Sequence, residues 1–154
     1  MNQTSDSMPA PAIRAEIQTV ISRVLPAVNA LSEPGPGWTR PSYSDLESKA
    51  HDLIEAEASA LGLDVTRDAA GNLFARMAGQ DRIAPALYMG SHLDTVSQGG
   101  AFDGQAGVIG ALAILSALRA SEIVPPTDIV LVVTRAEESV WFPVSYVGSR
   151  AALG

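Results

Sequence analysis

Three consecutive stretches decide the fold: residues 84–104, APALYMGSHLDTVSQGGAFDG; residues 105–120, QAGVIGALAILSALRA; and residues 128–134, DIVLVVT. Ala86 to Ser91 is a near-continuous apolar run, which predicts a strand buried on both faces. Residues 105–120 read as a helix that ends before Pro125-Pro126. Residues 128–134 predict a second fully apolar strand. Strand, helix, strand over this length is a βαβ unit, so the two strands should run parallel through a right-handed crossover. The expected class is α/β, with helices packed on a largely parallel mixed sheet.

Upstream, apolar residues recur at Ile17, Val20, Ile21, Val24, Leu25, Val28 and Leu31, a helical stripe beginning at Ile13. Two Pro-Gly pairs between Ser32 and Trp38 break it. Ser44-Asp-Leu-Glu47 reads as a capping box opening a helix to about Leu61, with Gly62 as its stop. Leu63–Arg67 and Leu73–Met77, joined by the turn at 68–72, predict a hairpin. Residues 1–11 are expected to be a disordered leader, and residues 12–154 the folded part. His51, mid-helix in a polar context, reads as a surface residue. Trp38, Trp141, Phe142 and Tyr146 read as packing residues, with Trp141 and Phe142 close enough to the Glu137-Glu138 pair to wall a pocket.

Composition narrows the function. A net charge of −7 disfavours a nucleic-acid backbone or an anionic membrane as partner. The chain has no cysteine, so any metal must be held by His, Asp and Glu. The longest apolar stretch, Val108–Leu118, is too short to span a bilayer, and the N-terminus lacks a basic segment followed by an apolar one. The expectation is a cytoplasmic protein.

In open α/β sheets ligands sit beyond the carboxyl ends of the strands. His92 lies at the end of the first parallel strand, and Glu137 and Glu138 lie just past the end of the second. Asp103 stands in the loop before the crossover helix. These groups should therefore converge on one edge of the sheet. Asp94, two residues after His92 in extended chain, is placed to accept the second imidazole N–H and fix the tautomer of a metal-bound histidine. A carboxylate at Asp103 can bridge two cations. In the Glu137-Glu138 pair, one residue can bind metal while the other acts as general base on water. Each residue alone has a plainer reading: a structural histidine, a solvated acid pair, and a helix N-cap at Asp103. The glycines at 104, 107 and 110 mimic a dinucleotide fingerprint, but their spacing is wrong for it, and close helix–sheet packing is the better account.

Gly90-Ser-His-Leu-Asp-Thr-Val96, Gly99-Gly-Ala-Phe-Asp-Gly104, Glu137-Glu138 and Gly148-Ser-Arg-Ala-Ala-Leu-Gly154 together resemble the zinc-dependent hydantoinase/carbamoylase amidases of the M20 metallopeptidase-like group. Gly37-Trp-Thr-Arg40 and Asp68-Ala-Ala-Gly-Asn-Leu-Phe74 fit the same pattern. The resemblance implies two divalent metal ions, zinc first and manganese, cobalt or nickel as alternatives. It implies His92 as ligand of the first metal, Asp103 bridging both, Glu138 on the second, Glu137 as general base and Asp94 orienting His92. The implied reaction is hydrolysis of a linear amide or carbamoyl C–N bond in a small N-carbamoyl amino acid, ureido acid or allantoate-type substrate.

The resemblance also implies parts this sequence does not show: two further histidine ligands and an inserted domain through which family members form homodimers. After His92 the chain has no histidine, so each metal would keep only two protein ligands. The expectation is therefore the N-terminal portion of a catalytic domain, inactive by itself, with the sheet edge beyond it exposed. The alternative is a non-catalytic fragment that binds metal weakly or pairs with another chain.

Overall fold

The computed structural model describes residues 10–154. Most of the expected leader, residues 1–9, lies outside the described residues. Ala10 and Pro11 already belong to the first helix, α1 (Ala10–Ala30). It is followed by α2 (Asp45–Ala60), β1 (Asp64–Arg67), β2 (Leu73–Met77), β3 (Leu87–His92), α3 (Gln105–Ala120), β4 (Ile129–Thr134) and α4 (Val147–Leu153).

The four strands form one mixed sheet in the order β1-β2-β4-β3. β3 and β4 pair in parallel from Leu87↔Ile129 to His92↔Thr134, with α3 as the crossover. The expected α/β class and βαβ unit are present. Within the sheet the balance leans antiparallel, because the β1–β2 hairpin docks against β4 with β2 antiparallel to it.

Alternation along the strands sorts the two faces. Leu73, Ala75, Met77, Ile129, Leu131 and Val133 join one apolar cluster with Val20, Val24 and Val28 of α1 and Val108, Ile109, Leu112 and Leu115 of α3. Close approach of α3 to the sheet depends on Gly107, where a Cβ would stand 2.8 Å from the Cβ of Ser91. Packing thus accounts for Gly107 alone of the three glycines: a Cβ at Gly110 would meet open space, and one at Gly104 would meet the His92 ring. The opposite face carries Phe74, Tyr88, Gly90, His92 and Val132 beside α4.

The structure corrects two expectations. β3 is an edge strand, and its burial on both faces does not occur: Leu87 and Tyr88 are each 57% exposed. Its apolar run satisfied the pattern of a central strand, but β4 pairs with only one of its edges and Tyr88 faces a cavity rather than a packed layer. His51 is fully buried rather than on the surface, because α2 packs this side toward the segment that follows β4. No described helix is long and apolar enough to cross a membrane.

Candidate metal centre

Because β3 and β4 are parallel and end in register at His92 and Thr134, the segments leaving both strands emerge on one edge. His92 is buried there. Its Nδ1 lies 2.9 Å from the backbone carbonyl of Asp94 and 3.4 Å from that residue's Oδ1. The carbonyl is the nearer partner, so the main chain of Asp94 shares the orienting role expected of its carboxylate. A proton held at Nδ1 leaves the Nε2 lone pair free to bind a cation. Nε2 points toward Glu137 Oε2 at 3.6 Å and Asp103 Oδ1 at 4.0 Å.

Asp94 has a second task that its sequence position did not reveal. Its Oδ1 accepts the backbone N–H of Glu137 at 3.1 Å, and its Oδ2 accepts the N–H of Glu138 at 3.0 Å and the hydroxyl of Ser42 at 2.5 Å. One buried carboxylate therefore ties the acid pair to the histidine. Burial pushes its pKa up, but the hydrogen bonds from His92, Ser42 and the two amides outweigh that and hold it below the ordinary value.

Asp103 is exposed and does not cap α3. The N-cap is Gly104, with φ +65°, and no side chain bonds to the first turn. The N-cap reading of Asp103 thus fails, and its carboxylate is left facing the histidine. Glu138 is half-buried, and burial followed by the neighbouring Glu137 charge raises its pKa. Burial opposes the charge on His92, yet Asp94 and then Glu137 lift its pKa to about 9.

One donor atom each from His92, Asp103 and Glu138 all lie within 4.8 Å of one another. The set fits a divalent cation. One imidazole nitrogen and two carboxylates are ordinary ligands for zinc or manganese. All five sequence-predicted residues meet here, with Glu137 beside the donor set. The centre opens on a cavity of about 810 Å³ whose walls include Tyr88, Val132, Tyr146 and Leu153.

The expected wall residues behave differently. The indole N–H of Trp141 donates to the carbonyl of Thr95 at 2.7 Å, and Phe142 packs edge-on against Tyr43 at 5.9 Å. Both fasten the loop after β4 from behind, while Tyr146 faces the cavity instead. Ser42, Gly104 and Tyr146 were missed from sequence. Only the glycine carried a signal, as the last residue of the GGAFDG turn.

A sequence model of peptidase family M28 matches residues 72–153. An N-carbamoyl-L-amino acid amidohydrolase of Geobacillus stearothermophilus is 37% identical over 122 residues, covering 79% of this chain and 30% of that enzyme. A ureidoglycolate hydrolase of Oryza sativa subsp. japonica is 36% identical over 121 residues, covering 79% of this chain and 25% of the rice protein. Among solved structures, a hydantoinase/carbamoylase family amidase from Burkholderia ambifaria superposes with a TM-score of 0.81 at 33% identity, over 86% of this chain and 33% of that one. The resemblance to hydantoinase/carbamoylase amidases drawn from the motifs is thereby borne out. The chain spans between 25% and 33% of the length of these relatives.

Proposed function

The chain belongs to peptidase family M28, and from that premise we propose that residues 12–154 are the metal-bearing portion of a binuclear amidohydrolase catalytic domain acting on linear carbamoyl or ureido C–N bonds. The observation that carries this is the convergence of His92, Asp103 and Glu138 within 4.8 Å, with Glu137 alongside. The names of the relatives supply the substrate class: N-carbamoyl amino acids, ureidoglycolate or allantoate.

In this reading His92 and Asp103 would hold one ion and Asp103 and Glu138 the other, zinc being the best match to the donors. A divalent cation bound here would supply Lewis acidity toward the scissile carbonyl and the attacking water. Glu137 takes the proton from the attacking water and returns it to the departing nitrogen. Asp94 holds Glu137 and Glu138 by their amides and His92 by its ring, so that both acids and the imidazole keep a fixed relation.

Catalytic zinc sites ordinarily have three protein ligands and an open position. Three donors shared between two ions fall short of that, and the other histidine, His51, is buried elsewhere. These 154 residues alone therefore gather one ion and hydrolyse nothing measurable. Calorimetric titration with zinc, alongside ammonia release from N-carbamoyl amino acids, ureidoglycolate and allantoate, tests this. One ion lost in His92→Ala, without turnover, supports it. Binding indifferent to His92→Ala sinks the metal assignment, and tight binding of two ions sinks the incomplete-site claim.

A further inference from the structure

Behind the centre lies a buried carboxylate that the reaction does not use. Glu47 is 0% exposed, in the first turn of α2. In a reciprocal capping box it would bond back to the N–H of Ser44. Only half of that box forms. The Ser44 hydroxyl accepts the Glu47 N–H at 3.2 Å, but the Ser44 N–H goes to the Pro41 carbonyl. The Glu47 carboxylate turns elsewhere: Oε2 accepts the Tyr43 N–H at 2.5 Å and lies 2.9 Å from the Arg135 guanidinium, while Oε1 accepts the Ala136 N–H at 3.1 Å.

Ala136 is the hinge of the acid pair. It has φ 51°, the left-handed region, without being glycine. Such a residue is strained and persists only where its surroundings enforce it. The next two residues are Glu137 and Glu138. Glu47 grips the hinge from one side, and Asp94 grips the two following amides from the other.

We propose that Glu47 is a positioning residue: its carboxylate holds the left-handed turn at Ala136 and so sets where Glu137 and Glu138 stand relative to His92 and Asp103. This rests on the reading of His92, Asp103 and Glu138 as a cation site. A carboxylate is required, because both of its oxygens face N–H donors. The isosteric Glu47→Gln must turn its own NH₂ toward one of them.

The test uses the full 154-residue chain, ¹⁵N-labelled, first metal-free and then titrated with Co(II). Glu47→Gln is expected to bind Co(II) roughly tenfold more weakly, as for other residues that support ligands from behind, with an altered visible absorption band. In the metal-free state the amides of Ala136, Glu137 and Glu138 should shift and exchange faster. Leu112→Ala, in the core on α3, is the control for stability alone and should leave the band and the chemical shifts of these three amides as in wild type. Should Glu47→Gln not fold, Glu47→Asp keeps the charge but shortens its reach to the Ala136 N–H, and the same readouts should move in the same direction. Wild-type chain that binds no Co(II) overturns the cation site itself. A folded variant with wild-type affinity, band and amides overturns the role of Glu47 alone.

Discussion

Gly104 stands flat against the imidazole of His92: a Cβ at position 104 would lie 2.5 Å from Cε1 and 2.7 Å from Nε2. Gly104 also has φ +65°, a conformation natural to glycine. Gly104→Ala therefore forces the ring aside and strains the turn together. Metal affinity should fall at least tenfold, with about 1–3 kcal/mol of lost stability. Zinc calorimetry and urea unfolding of the same preparation check both. Unchanged affinity would mean that His92 is not held in place by this contact.

Asp94→Asn separates charge from shape. Its two oxygens accept from the Glu137 and Glu138 amides and from Ser42. An asparagine amide placed there must point its own N–H groups at one of those donors. Metal binding should weaken about 10- to 100-fold, and the metal-free protein should lose about 1–3 kcal/mol. Competition with a chromogenic chelator measures the first and urea midpoints the second.

His51 gives a pH signature. Among the described residues neither ring nitrogen has a hydrogen-bond partner, and burial, reinforced by the nearby Arg135 charge, pulls its pKa down to about 3. The unfolded chain protonates this histidine near pH 6.5, so its contribution is complete above that pH and is lost as pH falls toward about 3. His92, lifted to about 9 in the metal-free protein, acts the other way: its stabilisation is present below about pH 6.5 and fades as pH rises through about 9. Comparing wild type with His51→Leu in EDTA isolates the first effect. Between pH 7.5 and 5, wild type should lose about 2 kcal/mol more than the variant. Parallel pH profiles of the two urea midpoints would show that His51 ionises freely in the fold.

These residues show what sequence can and cannot carry. The βαβ unit was legible because apolar periodicity is local, and His92, Asp103 and Glu138 because strand ends converge wherever strands are parallel. Asp94 was legible as a neighbour of His92, but its grip on Glu137 and Glu138 spans the sheet edge and has no local signature. His51 was misread, and Glu47 was legible only as a partner in the Ser44 capping box, for the same reason: α2 is polar enough to look solvated, and the burial of this face comes from the distant turn at Arg135–Ala136. The exposure of β3 was hidden because an apolar pattern reports what a strand can bury, not what covers it. The seven residues of α4 opened with no side-chain cap to announce them; the helix starts from a left-handed Tyr146.

Arg40 is where fold and centre are joined, and it carries the last prediction. It is fully buried. Its guanidinium donates to the carbonyls of Val28 at 2.9 Å and Leu31 at 2.7 Å, to the carbonyl of Leu93, and to Gln105 Oε1 at 2.7 Å. It thus fastens the end of α1, the chain leaving β3 beside His92, and the start of α3 beside Asp103. Burial draws its pKa down to about 10, still charged at neutral pH. Arg40→Leu removes the donor from four acceptors, of which the Val28 carbonyl keeps the Leu31 N–H, and should cost about 3–5 kcal/mol, a large part of the stability of a domain this size. Arg40→Lys keeps the charge but cannot reach all four with one ammonium, so it should fold with a lower urea midpoint and weaker zinc binding. A lysine variant with wild-type zinc affinity would confine Arg40 to the fold and remove it from the support of the centre.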